Sequence, residues 1–109
     1  MKKLLFASVA LAMMSGVALA ADTYVLGMKG PGAGNPFWAA VAAGAMEKGK
    51  ELGVDVVVLA PPAESDVQAQ IAQIEDQIAK GVKGIALAPT DPNALAPVVE
   101  AAKIGRAHV

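Results

Sequence analysis

The tetrapeptide Asn35-Pro36-Phe37-Trp38 puts a carboxamide beside two aromatic rings, at the end of the glycine-rich run Lys29-Gly30-Pro31-Gly32-Ala33-Gly34. Aromatic side chains are only 4% of the 109 residues. Besides this pair the chain holds just Tyr24 and Phe6, the latter in the leader described below. Flat rings stack on apolar C–H faces, while an amide or carboxylate exchanges hydrogen bonds with hydroxyls at the rim. A sugar ring presents both surfaces. The same residues also have a purely structural use, with Phe37 as the first rung of a helix core and Trp38 covering its rim. A second polar candidate, Asp91 in Pro89-Thr90-Asp91-Pro92-Asn93, can bind a hydroxyl or cap the following helix, and capping is the commoner use of an aspartate there.

Two other patterns invite a phosphate reading, and both fail. A dinucleotide fingerprint starting at Gly30 needs glycine where Asn35 stands, and an acidic residue after a second strand that instead ends Leu59-Ala60. Phe37 and Trp38 would also crowd the helix start where a pyrophosphate has to lie. Gly44 to Lys50 matches part of a phosphate loop but falls inside a helical pattern, with Glu51 in place of the required Ser or Thr. There is no cysteine, which excludes disulfides, thiolate metal ligands and lipid attachment at the expected cleavage site of the leader described below. No nucleophile, base and orienter set is visible, and no metal-ligand cluster. The residues therefore call for neither catalysis nor a cofactor or metal.

The elements that must position these residues follow from hydrophobic period. Thr23 to Met28, Val54 to Leu59 and Gly84 to Ala88 are short apolar runs bounded by turn formers, expected as strands buried on both faces. Asn35 caps a first helix with Pro36 at its first position, and Phe37, Val41, Ala45 and Leu52 are expected along its apolar side until Gly53 stops it. Ser65-Asp66-Val67-Gln68 reads as a capping box for a second helix, with Val67, Ile71, Ile74 and Ile78 facing the core and Gly81 ending it. A third helix starts at Pro92 or Asn93 and buries Leu95, Val98, Val99 and Ala102. Alternating strands and helices at this spacing give an α/β fold, an open parallel sheet with flanking helices. In a flavodoxin-like strand order, ligands sit beyond the carboxyl ends of the first and third strands, which singles out the loops Lys29 to Pro36 and Pro89 to Asn93.

The ends of the chain are of a different kind. Met1-Lys2-Lys3, an apolar run from Leu4 to Met14, and Ala18-Leu19-Ala20 form a secretory signal over residues 1–20, with cleavage expected after Ala20 and delivery to a periplasm. Removing Lys2 and Lys3 from the nine Lys and Arg leaves seven against ten Asp and Glu. That mild acidity, with no basic stripe, disfavours nucleic acid and anionic membrane surfaces as partners. The last residues, Ile104 to Val109, are what the codons ATC GGA AGA GCA CAC GTC spell, a string resembling a common sequencing-library adapter. Residues 104–109 are thus expected to be a non-native tail, which leaves His108 without a function to explain.

From Tyr24 to Ala102 the chain resembles the sugar-binding proteins of bacterial ABC importers in the ribose, allose and galactose class. The resemblance rests on Asn35-Pro36-Phe37-Trp38 after the first strand, Gly53-Val54 before the second, Glu64 to Gln70 opening the second helix, and Lys83 to Pro89 around the third strand. It implies a type I periplasmic binding lobe, truncated after about three βα units, with residues 21–103 as part of the N-terminal lobe. It further implies that Asn35 bonds a ring hydroxyl, that Phe37 and Trp38 form an aromatic wall, that Lys29 stands where some members place a hydroxyl-binding lysine, and that Asp91 lies at the cleft edge. The glycine-rich run between Lys29 and Asn35 is longer here than in the allose type. The function implied is a monomeric, non-enzymatic receptor that hands a monosaccharide or polyol to a membrane permease. A periplasmic sensor reporting to a kinase or chemoreceptor is the alternative, and neighbouring genes would separate the two.

Overall fold

A computed structural model of the chain describes residues 21–106, so the expected signal segment and the end of the expected tail lie outside the described residues. The elements run β1 (Thr23–Gly27), α1 (Pro36–Leu52), β2 (Asp55–Leu59), α2 (Val67–Ala79), β3 (Gly84–Leu87) and α3 (Pro92–Arg106). The three strands form one parallel sheet in the order β2-β1-β3. Each helix carries the chain back over the sheet, and right-handed crossovers that step in opposite directions place successive helices on opposite faces. That is what the packing shows. Gly49 of α1 lies against Val56, which shares a face with Tyr24 and Gly84. Ile74 of α2 meets Gly27 and Leu87 on the other face.

Local signals end the helices where the sequence places them. The Asn35 side chain accepts from the backbone N–H groups of Phe37 and Trp38, and Gly53, at φ 72°, turns α1 off by donating to the carbonyls of Gly49 and Lys50. Gly81, at φ 75°, does the same after α2. The expected capping box does not form. Helix α2 starts one residue later than the box requires, with Asp66 at the N-cap and no side-chain cap bond. The carbonyl of Ser65 instead accepts the N–H of Val67 in a tight turn, and Gln68 sits too early in the helix to reach back.

The core lies between α2, α3 and the sheet, built on Ile74, Leu95 and Val98, with Val67, Ile71 and Ile78 packed against it. Three expectations change. The inner side of α1 is Trp38, Val41, Ala42, Ala45 and the buried Gly49, while Phe37 and Leu52 are exposed. The helix is seated by the close approach of Gly49 to Val56, and this seat keeps Val41 and Ala45 of the expected stripe inward while its two ends, Phe37 and Leu52, turn outward. The strands are not covered on both faces either. Helix α1 packs over β2, leaving Tyr24 and Ala86 exposed on that face. Val99, expected in the core, is also exposed, because α3 packs on α2 and its flank borders an open apolar trough of about 890 Å³ with Val82, Ile85 and Leu87.

Candidate ligand-binding site

β1 and β3 are neighbours in space although β2 lies between them in sequence, so the sheet has its switch point where their carboxyl ends meet. The floor of this crevice is tied by one side chain. Gln70 is fully buried, and its Nε2 donates to the carbonyls of Met28 at 3.0 Å and Ala88 at 2.9 Å. Its Oε1 accepts the N–H of Thr90 at 2.7 Å. A single amide on α2 thereby satisfies backbone groups from both strand ends, which would otherwise be buried without partners. The third loop, between β2 and α2, is held by the buried Pro61 and by Gln73 Nε2 donating to the carbonyl of Ala60 at 2.9 Å.

The first turn of α1 carries the amide and the aromatic pair. Asn35 Oδ1 accepts from the N–H of Phe37 at 3.0 Å and of Trp38 at 3.4 Å, so the oxygen is committed to the helix. The two amide N–H groups remain to donate outward, and Asn35 can serve a ligand hydroxyl only as a donor. Phe37 stands 64% exposed, which removes the core-rung reading. Its ring meets Trp38 edge to face, with centroids 4.8 Å apart and planes at 73°. An aromatic pair, one ring exposed and the other half-buried, next to a free amide donor suits a ligand with apolar faces and hydroxyl rims.

Lys29 and Trp38 converge on a residue that sequence reasoning assigned no role. The indole N–H of Trp38 donates to Glu64 Oε2 at 3.3 Å, and Lys29 Nζ lies 4.0 Å from Glu64 Oε1. Both partners of the ion pair are about half exposed, so the pair itself is worth under about 1 kcal/mol. Asp91 stands across the crevice on the β3–α3 loop, linked to the other loop through Gln70. Its Oδ1 accepts from the N–H groups of Asn93 at 2.9 Å and Ala94 at 3.1 Å, the capping role. The neighbouring Thr90 hydroxyl is buried without a protein partner. Gln70 carried a readable signal, since it falls between Val67 and Ile74 on the inward stripe of α2. Glu64 carried none, because its role depends on how two loops meet.

A parallel sheet of order 2-1-3, opening at its switch point on an amide and an aromatic pair, is the architecture of a type I periplasmic binding lobe. Residues 26–104 match the periplasmic binding protein domain, and the chain belongs to that family. It is 40% identical over 94 residues to the D-allose-binding periplasmic protein of Escherichia coli, covering 85% of this chain and 30% of that one. It is 29% identical over 79 residues to the ribose import binding protein of Bacillus subtilis, covering 72% of this chain and 25% of the relative. A carbohydrate transporter solute-binding protein from Agrobacterium radiobacter, solved with D-arabinose, superposes with a TM-score of 0.72 at 35% identity, over 78% of this chain and 28% of that structure. The chain thus spans 25% to 30% of the length of these relatives.

Proposed function

We propose that the chain contributes the first part of the N-terminal lobe of an ABC sugar importer's substrate-binding component. It captures a monosaccharide of the ribose or allose kind, or a polyol, in the periplasm and presents it to the inner-membrane permease as a monomer. It binds its ligand without transforming it. Residues 1–20 serve as the export signal, residues 21–103 as the partial lobe and 104–109 as a non-native tail. The reading is carried by Asn35, whose oxygen is spent on the helix and whose amide donors stand free beside the exposed Phe37 ring and the half-buried Trp38 ring. In this reading Lys29 and Asp91 supply further polar contacts from the two sides of the crevice. The sugar-binding names of the relatives support the same ligand class.

A receptor that closes on its ligand gains affinity from surrounding it, and the ligand biases the hinge toward the closed form. The test is calorimetric titration with D-ribose and D-allose, on the gene product that carries the remaining lobe and on this chain alone. Micromolar binding by the former and nothing tighter than millimolar by the latter is expected. Micromolar binding by this chain alone would make the first lobe a self-sufficient site and discard the closing mechanism. Absence of binding to any monosaccharide or polyol by the longer product would discard the ligand class.

A further inference from the structure

We infer that Glu64 is a positioning residue, a latch that sets the Trp38 indole and the Lys29 ammonium in place at the crevice, and that Gly30 is glycine to make room for it. What the latch serves rests on the sugar-binding reading above; the latch itself rests on geometry.

Two loops and a helix turn meet at this carboxylate. Glu64 comes from the β2–α2 connection, Trp38 from the first turn of α1 and Lys29 from the loop after β1. One oxygen accepts the indole N–H at 3.3 Å, and the other lies 4.0 Å from the lysine nitrogen. The base of the latch is firm, because Pro61 is buried, Ala60 is held by Gln73, and the N–H of Asp66 closes a turn onto the carbonyl of Ala63 at 3.0 Å. A half-buried tryptophan on the first turn of a helix has alternative rotamers, and a hydrogen bond to its only polar atom selects among them. A ring already held in one orientation spares the ligand the cost of ordering it.

Gly30 supplies an observation independent of the two contacts. It is buried, and a Cβ built on it would stand 2.6 Å from Glu64 Cγ and 3.1 Å from Oε2. The atoms in the way belong to a flexible side chain, so alanine here displaces the carboxylate rather than the backbone. This accounts for one glycine of the run that mimics a nucleotide fingerprint.

Trp38 is the sole tryptophan of the chain, so its emission reports the latch directly. Three variants separate chemistry from room: Glu64→Ala removes both contacts, Glu64→Gln keeps an acceptor for the indole, and Gly30→Ala leaves the carboxylate but pushes it aside. Emission and acrylamide quenching are read on the full chain without ligand, and affinity for D-ribose and D-allose on the longer gene product. Glu64→Ala and Gly30→Ala are expected to shift emission to the red and raise quenching alike, while Glu64→Gln stays near the parent. Affinity should fall about tenfold in the first two and much less in the third, the loss of one hydrogen bond to a charged group. Unchanged emission in both Glu64→Ala and Gly30→Ala overturns the latch. Shifted emission with unchanged affinity overturns its positioning role. If the parent binds no sugar, the proposed function fails while the emission results still decide the latch.

Discussion

The side-chain carbonyl of Gln70 accepts the backbone N–H of Thr90 at 2.7 Å, so a residue of α2 holds the loop that carries Asp91. Replacing Gln70 by leucine would strand this N–H and the carbonyls of Met28 and Ala88, each at the cost of an unmade buried hydrogen bond. Gln70→Leu is expected to lower stability by about 3 kcal/mol or more, read from the urea midpoint. Gln70→Glu, nearly the same shape, turns an acceptor toward two carbonyls and is expected to destabilise at neutral pH. A buried carboxyl in that place titrates higher folded than unfolded, so its penalty grows as pH rises and eases on acidification, where the protonated group regains one donor.

Two glycines of α1 are expected to respond to alanine in opposite directions. Nothing lies within 4 Å of a Cβ placed on Gly44, so Gly44→Ala gains only helix propensity, about 0.5–1 kcal/mol. At Gly49 the same gain meets the side chain of Val56 and the carbonyl of Val54, and overpacking of about 1–3 kcal/mol wins. Thermal unfolding of the two variants against the parent reads the signs, and stabilisation by both would show that Gly49 does not seat α1 on β2.

Asn35 separates a cap from a ligand contact. Asn35→Asp retains the oxygen that accepts from Phe37 and Trp38 and removes the amide donors. Stability close to the parent with sugar affinity lost is expected, whereas Asn35→Ala loses affinity and about 1 kcal/mol of stability as well. Calorimetric titration beside urea unfolding distinguishes the two, and an Asn35→Asp protein that binds sugar as well as the parent would leave Asn35 as a cap alone.

Processing is checked by expression in a Gram-negative host and N-terminal sequencing of the periplasmic form, which is expected to begin at Ala21. A product that retains Met1, or is found only in the cytoplasm, contradicts the export signal.

Much of the fold was legible because its rules are local. Asn35 and Pro36 start α1, Gly53 and Gly81 sit in the left-handed region where helices end, and the spacing of Val67, Ile71, Ile74 and Ile78 orients α2. Alternating strands and helices were enough to require a parallel sheet, and the strand order that followed put the loops after β1 and β3 side by side. Even the buried Gln70 could have been read from its place on the α2 stripe.

The sequence by itself determined the order of the elements, the start of α1, the glycines that end α1 and α2, and which loops flank the switch point, since capping, turn chemistry and periodicity act between residues a few positions apart. Tertiary structure decided the rest. The rotation of α1 depends on Gly49 meeting Val56 across the β1–β2 crossover, which turned Phe37 outward against its pattern. Glu64 and Trp38 are 26 residues apart, and Gln70 and Met28 are 42 apart. Contacts of that span exist only once the helices have packed and brought separate loops together, and no local propensity encodes the direction in which a side chain then points.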